Sequence, residues 1–208
     1  MKMCDVVTHR ENPFSVHRVQ PGALDYIFDD GTDIEQLLRR LERNQWRGEV
    51  IGPHGSGKST LLAQLASRFS DRGFDVRRVL LRSGERHLPG GWETPSSEGT
   101  TTVVVVDGME QLGWLARRRL TRHCRRQGWG LVATAHDSLG LSLLVRTHFG
   151  FERFEQVVRR LLVHEAWSVR TDELRQIYER FGGDMREMLF CLYDRYEADG
   201  QGDAVGND

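Results

Sequence analysis

The ten residues from Ile51 to Thr60, IGPHGSGKST, constrain the fold of this chain more than any other segment. They match the pattern G-x-x-x-x-G-K-[ST] at every fixed position, from Gly52 to Ser59. Glycines let the backbone curl so that several N–H groups point at one phosphate, and a following helix N-terminus adds partial positive charge. A flexible turn with nothing bound is the alternative. A phosphate loop requires a strand before it and a helix after it.

The sequence indicates both flanking elements. Residues 47–52 predict a short strand, and leucine and alanine recur at helical spacing from Lys58 to about Ser70. We therefore predict a phosphate cradle, in which Lys58 reaches the β- and γ-phosphates of a nucleotide and the Ser59 hydroxyl binds Mg²⁺. The predicted nucleotide-binding residues are Gly52, Pro53, His54, Gly55, Ser56, Gly57, Lys58, Ser59 and Thr60.

A second polar position follows a strongly apolar strand. Residues 101–106 form an unbroken β-branched run, which is typical of a strand buried on both faces of a parallel sheet. Asp107 comes next, where a carboxylate is costly unless it faces a cation. We predict that Asp107 binds Mg²⁺ together with Ser59; a surface turn built on Asp-Gly is the alternative. Glu110 has two interpretations: it orients or deprotonates an attacking water, or it is a first-turn helix residue favoured by the dipole.

The segment GLVATAHD, 130–137, carries polar residues near the end of the fourth predicted strand, the second being predicted over 74–81. If this strand lies between the strand before the loop and the strand before Asp107, Thr134 and His136 face the γ-phosphate. In the alternative interpretation, Thr134 packs its methyl group in the sheet and His136 is a hydrogen-bonded loop residue.

The segment FGGDMREMLF, 181–190, contains a cation in an unusual place. Two glycines break the chain, Asp184 can cap a new helix, and Arg186 lies in the first turn of that helix. The helix dipole makes this a poor position for a cation, and a contact with bound phosphate would offset the cost. Simple solvation of Arg186 is the alternative.

Strands alternating with helices, followed by helices only, predict an α/β fold: a doubly wound parallel sheet with a small helical lid. We expect a helix over 110–127, a fifth strand over 143–149, and lid helices over 151–164, 171–181 and 184–198. The predicted organisation is an extended N-terminal arm (1–31), a nucleotide-binding core (32–150), a helical lid (151–198) and a disordered tail (199–208).

Composition narrows the class of protein. The net charge of −1 indicates no general attraction to nucleic acid or anionic membranes. The N-terminal residues lack the apolar core of a signal peptide, and no apolar run reaches the roughly 20 residues of a membrane span. The three cysteines, Cys4, Cys124 and Cys191, are far apart and indicate reduced thiols. We expect a cytoplasmic protein without membrane contact.

A local exception to the balanced charge is LARRRLTRHCRRQG, 115–128. Six arginines follow one another within ten residues, from Arg117 to Arg126, with apolar positions between them. Such a helix face can bind nucleic-acid phosphates electrostatically. A solvated helix flank is the alternative.

In this order, the motifs resemble those of P-loop ATPases of the additional-strand division, and within it the AAA+ group, over residues 32–198. Gly52–Thr60 resembles Walker A, VVVVD (103–107) Walker B, ATAH (133–136) the strand-four sensor, and GGDMRE (182–187) the lid's sensor-two motif. The resemblance implies ATP and Mg²⁺ as ligands, sheet order 5-1-4-3-2, and hydrolysis coupled to lid motion. In AAA+ proteins a glutamate usually follows the Walker B aspartate directly, where this chain has Gly108.

The leading hypothesis is an ATPase or ATP-driven switch that acts on a macromolecular partner. Its candidate catalytic residues are Lys58, Glu110, Thr134, His136 and Arg186. A nucleotide-binding interaction module with negligible turnover and a P-loop kinase of a small molecule are the alternatives. Expected partners are ATP or ADP, a protein, nucleic acid through the Arg117–Arg126 helix, and further copies of the chain. Arg146 and Arg153 are arginine-finger candidates by position only.

Overall fold

The computed structural model describes residues 11–28, 31–94 and 99–202, with the side chains of 200–202 excepted. The strands are β1 (Arg47–Ile51), β2 (Asp75–Leu80), β3 (Thr102–Asp107), β4 (Gly130–Ala135) and β5 (Leu143–Arg146). The helices are α1 (Val16–Val19), α2 (Ile34–Arg43), α3 (Lys58–Asp71), α4 (Trp114–Gln127), α5 (Phe151–Leu161), α6 (Thr171–Phe181) and α7 (Met185–Gly202), with a 3-10 turn at Met109–Gln111.

The five strands form one parallel sheet in the order β2-β3-β4-β1-β5. This is the predicted order 5-1-4-3-2 read from the other edge, and the predicted doubly wound α/β fold is confirmed. The central strands β3 and β4 are buried along almost their whole length. Apolar residues dominate β3 and β4 because helices cover both faces of these strands.

Alternation along β3 divides the core into two layers. Val103 and Val105 pack with residues of α2 and α3 on one face, whereas Val104 and Val106 pack with Leu120 and Cys124 of α4 on the other. Successive side chains of a strand point to opposite faces, so one apolar run serves both layers. The helices α2 and α4 therefore lie on opposite faces of the sheet.

The helices α5, α6 and α7 build a separate apolar cluster, which includes Phe14 from the N-terminal segment. The Phe14 ring meets the rings of Trp167 and Tyr196 edge-on, at centroid distances of 5.9 and 6.4 Å. The predicted extended arm is only partly extended, because 16–19 form one helical turn. Its aromatic side chains reach both clusters, since Tyr26 packs in the sheet layer of α2 and α3.

Several predicted boundaries were wrong. The helix expected over 110–127 is two elements, because Leu112 is extended (ψ 137°) between the 3-10 turn and α4. The fifth strand ends at Arg146, three residues early. The last helix continues to Gly202, so 199–202 are helical where disorder was expected; Asp199 Oδ2 accepts a hydrogen bond from Trp167 Nε1 there. Residues 203–208 of the predicted tail lie outside the described residues.

The cysteines in the described part of the chain form no disulfide. Cys124 and Cys191 are free cysteines, and burial raises the pKa of the Cys124 thiol to about 12, so that it stays protonated at neutral pH. Cys4 lies outside the described residues. Among the helices of the described chain, none has an apolar stretch long enough to cross a bilayer.

Replacing Phe14 by alanine tests the contact between the N-terminal segment and the lid. Phe14 is 2% exposed, and we expect Phe14→Ala to lower the free energy of unfolding by about 3–5 kcal/mol. Val16, two residues away, is 64% exposed, and Val16→Ala should change stability by less than about 0.5 kcal/mol. Urea denaturation of both variants measures the difference; equal effects would contradict the packing described.

Candidate functional site

The loop between β1 and α3 has the backbone of a phosphate cradle. Gly55 and Gly57 adopt positive φ angles of 70° and 85°, which side chains with a Cβ rarely adopt. A Cβ at Gly57 would lie 3.1 Å from the Tyr26 ring, and a Cβ at Gly52 would collide with Thr147. Both conformation and space therefore require glycine at these positions.

Ser56 ties the loop to the residue that follows β5. Its hydroxyl is fully buried, donates to Pro53 O at 2.8 Å and lies 2.7 Å from Thr147 Oγ1. Thr147 in turn bonds Ile51 O through its backbone N–H at 2.7 Å. The side chain of Ser56 thus stabilises the conformation of the loop. The backbone of the loop is then available to bind a ligand.

Lys58 lies at the centre of the site. Its Nζ donates to Gly52 O at 2.7 Å and to Pro53 O at 2.6 Å. Burial lowers the pKa of the Lys58 ammonium, while the nearby carboxylates of Glu110 and Asp107 oppose that shift. The structure therefore brings Lys58 of the loop within electrostatic range of two predicted site residues at and just after the end of β3, Asp107 and Glu110.

Asp107 is held from the neighbouring strand. Thr134 Oγ1 donates to Asp107 Oδ1 at 2.6 Å and accepts a bond from Gly108 N at 2.8 Å. Thr134 is fully buried, so its hydroxyl is committed to the end of β3. This support of Asp107 was not predicted, and a contact of Thr134 with a γ-phosphate stays a prediction. Ser59 and Asp107 line the same cavity of about 200 Å³.

Glu110 and His136 form the second polar contact of the site. Glu110 Oε1 lies 3.1 Å from His136 Nε2, and the His136 ring contacts the His54 ring of the loop, with centroids 3.9 Å apart. The other oxygen, Glu110 Oε2, is buried without a hydrogen-bond partner among the described residues. The pKa of His136 is lowered by burial, by Lys58 and by His54, against the opposing carboxylates of Glu110 and Asp137.

The start of α7 packs on the loop, and the predicted contact of Arg186 with bound phosphate stays a prediction. A Cβ at Gly55 would lie 3.0 Å from Met185 N and 3.1 Å from Asp184 Oδ1. Asp184 caps the helix, since its Oδ1 accepts from Arg186 N at 3.0 Å. The Arg186 side chain is exposed, and no ion pair joins it to a described carboxylate.

The two arginine-finger candidates differ in the structure. Arg153 is 5% exposed, and its Nη1 donates to Tyr26 Oη at 2.9 Å and to His148 O at 2.7 Å. A buried, bonded guanidinium does not reach a neighbouring subunit, so the prediction for Arg153 was wrong. Arg146 is exposed at the end of the edge strand β5, and its role stays a prediction.

Sequence reasoning missed a small cavity beside the loop. It measures about 70 Å³, and its lining combines the N-terminal segment, the loop and the lid, including Leu24, Tyr26, Gly57, Thr60 and Met185. Tyr26 makes an edge-on contact with Phe28 at 4.9 Å. The aromatic pair was visible in the sequence, but no local pattern indicated that it would fold onto residues 30 positions later.

Comparisons with known proteins support this fold at the level of structure alone. No protein-family model and no curated protein sequence matches the chain. Among solved structures, AMPPCP-bound DnaA from Aquifex aeolicus matches with 12% identity, a TM-score of 0.57, and coverage of 80% of this chain and 61% of that one. A DNA replication initiation factor matches with 12% identity, a TM-score of 0.59, and coverage of 85% and 66%.

A third solved structure, the replication initiator DnaA bound to AMPPCP and single-stranded DNA, matches with 13% identity and a TM-score of 0.55. It is covered over 60% of its length, and this chain over 78%. The chain thus spans less than two thirds of each of these structures. At such identities the likeness defines the fold: the chain has a P-loop α/β fold of the AAA+ type.

Thr134→Val tests the support of Asp107. Valine keeps the shape but removes the hydroxyl, which leaves the Gly108 N–H and one Asp107 oxygen without their partner. We expect a loss of about 1–3 kcal/mol in the free energy of unfolding. Thr134→Ser keeps the hydroxyl and is the matched control; denaturation curves in which serine costs more than valine would contradict the hydrogen-bond assignment.

His136 predicts a pH dependence of stability. Because its folded-state pKa is lowered, the unfolded chain binds this proton more readily, and stability should fall as pH falls through about 6.5. Part of that fall should vanish in His136→Gln. Urea denaturation at high and low pH measures this change in the free energy of unfolding. The control is His87→Gln, which replaces an exposed histidine. Identical pH profiles for all three proteins would refute the assignment to His136.

Proposed function

We propose that this protein binds ATP with Mg²⁺ and hydrolyses it slowly, as a switch that acts on a macromolecular partner. The observation that carries the proposal is the convergence of Lys58, Asp107 and Glu110 at one loop. A cation in a glycine cradle suits the β- and γ-phosphates, and the two carboxylates suit a metal ion and a water. The AMPPCP-bound DnaA structures that share the fold support nucleotide binding.

Mg²⁺ fits the residues present. Ser59 and Asp107 line one cavity, and hydroxyl and carboxylate oxygens are ligands of the kind that Mg²⁺ prefers. When bound, the ion would neutralise charge that develops on the phosphate oxygens. The chain's own contribution is to orient Asp107, which Thr134 and the fixed sheet register accomplish.

The cavity beside Tyr26 suits the base of the nucleotide. Its walls are largely apolar, and Thr60 and Gly57 connect it directly to the phosphate loop. Mainly apolar walls with a few polar groups are typical of small-molecule sites, and this cavity of about 70 Å³ would have to open to admit a base. In this arrangement the N-terminal segment and the lid both contact the base, so nucleotide binding would stabilise their packing on the core.

Glu110 supplies the proton acceptor in the proposed reaction. A water would attack the γ-phosphorus, the bond to the β–γ bridging oxygen would break, and Glu110 Oε2 would accept the water's proton. This oxygen is the buried atom without a partner, whereas Oε1 is held by His136. His136 thereby orients the carboxylate, and a neutral His136 can donate from Nε2 to it.

The lid supplies a further phosphate contact in this proposal. The first turn of α7 already touches Gly55, and Arg186 projects from that turn. A bound nucleotide would attract the guanidinium and offset the unfavourable position near the helix N-terminus. Binding would in this way couple the phosphate loop to lid position. A protein partner and a nucleotide-dependent assembly of copies, with Arg146 at the edge strand, remain further proposals.

Two variants separate ATPase, binding module and kinase. Lys58→Ala should weaken binding of a fluorescent ATP analogue by roughly tenfold or more, because it removes the cation of the cradle. Glu110→Gln should keep binding but lower hydrolysis by about 10²–10⁴-fold, the usual contribution of a general base. Equilibrium fluorescence titration and release of inorganic phosphate measure the two effects.

The exposed Glu42 on α2 provides the matched control, since Glu42→Gln removes a carboxylate outside the candidate site. Binding without phosphate release in the wild type would contradict hydrolysis and favour the interaction module. Transfer of phosphate to an added small-molecule acceptor would favour the kinase instead.

A further inference from the structure

A groove outside the nucleotide site runs between α4 and the loop that follows β4. It measures about 670 Å³ and is lined by Met109, Trp114, Arg118, Arg122 and Arg125 on one side and Ser138 and Leu139 on the other. The groove is open to solvent, and nothing in the proposed ATP chemistry uses it.

The charge of α4 is unbalanced. Its 14 residues contain arginines at 117, 118, 119, 122, 125 and 126 and no acidic residue, although the whole chain has a net charge of −1. Within the described chain, Arg119 alone among these six pairs with a carboxylate, that of Glu93 at 2.8 Å. The first turn of α4 lacks an acid and includes Arg117, which the helix dipole disfavours. A polyanion along this face would relieve both costs.

An aromatic ring stands at the start of the arginine row. Trp114 is 63% exposed, unusual for so large an apolar side chain, and the Arg118 guanidinium lies 5.9 Å from its ring centroid. An exposed indole flanked by arginine is a stacking surface for a base, and bases are free to stack on it in single strands. Arg118, Arg122 and Arg125 follow it at helical spacing, over about 10 Å along the axis.

The opposite wall of the groove is held in place by a buried acidic side chain. Glu49 of β1 is fully buried, and its carboxylate accepts bonds from Ser138 Oγ (2.6 Å), Leu139 N (2.9 Å) and Leu141 N (3.3 Å). These bonds hold the loop that faces α4. A preformed wall lowers the conformational cost of binding a ligand there.

We propose that this groove binds single-stranded nucleic acid, with phosphates along the α4 arginines and a base stacked on Trp114. Charge complementarity selects a polyanion, and the exposed indole selects a single strand over a duplex or an acidic protein surface. The inference concerns a second site and does not rest on the proposed ATP hydrolysis.

Fluorescence anisotropy with labelled oligonucleotides of about 20 residues tests the proposal, using the full chain at about 50–200 mM salt. Oligothymidylate and oligouridylate distinguish DNA from RNA, and a DNA duplex is the comparison. We expect binding of at least one single strand in preference to the duplex. Trp114→Ala should weaken it roughly five- to 100-fold, with little change in the salt dependence.

The triple variant Arg118→Ala, Arg122→Ala, Arg125→Ala should weaken binding further. It should also reduce the slope of log K against log salt by about two, since each phosphate contact with a single strand contributes about 0.7. Its matched control is Arg39→Ala, Arg40→Ala, Arg43→Ala, which removes three exposed arginines from α2 on the opposite face of the sheet. Circular dichroism establishes that the variants are folded.

Three results would overturn the proposal: no binding at the lowest salt, equal binding of the duplex, or equal losses in the α4 and α2 triple variants. Titration with the fluorescent ATP analogue is run on the same samples. A chain that binds nucleotide but no oligonucleotide would refute this inference and leave the proposed function standing. A chain that binds oligonucleotide but no nucleotide would support this inference and contradict the proposed function.

Discussion

The pairing of β4 with both β1 and β3 is the constraint on which the candidate site depends. Its register places Ala135 beside Ile51 and Ala133 beside Val106, so the carboxyl ends of all three strands reach the same edge. Asp107 then has Thr134 as its neighbour across the strands, and Gly52 N donates to Ala135 O at 3.1 Å. Parallel sheets place binding groups at this edge because every strand ends there and every following loop begins there.

The position of Glu110 follows from the turn after β3. A glutamate directly after Asp107 would need no turn, whereas here Gly108 adopts a φ of 81° and starts a 3-10 turn. A Cβ at Gly108 would lie 2.7 Å from Leu81 O, so glycine is required by space as well as by conformation. The turn returns the chain toward the loop, so that the Glu110 carboxylate, like that of Asp107, favours the charged form of Lys58. The turn therefore brings Glu110 toward the loop, although Glu110 lies two positions later than a glutamate directly after Asp107 would.

Local patterns predicted the parts of this structure that local forces determine. The loop glycines and the β-branched run of β3 are each decided within a few residues. Other contacts join distant segments: Tyr26 meets Gly57, and Arg153 bonds Tyr26 across 127 positions. Thr134 illustrates the limit, because its strand was predicted while its bond to Asp107 depends on register. Because β4 is buried on both faces, it has no polar–apolar alternation that would indicate which side chains meet across the sheet.

The type of cation differs between the two sites that we propose to bind phosphate. Lys58 is one of two lysines among 29 lysine and arginine residues, and α4 uses arginine alone. The loop requires a compact ammonium, because the cation must fit between Gly52 O and Pro53 O while it faces two carboxylates. A planar guanidinium has its donors spread over a fork, which suits phosphates along an open strand better than a closed cradle. The choice of lysine inside the loop and arginine on the helix thus follows from the space around each cation, and it supports two separate anion sites on one fold.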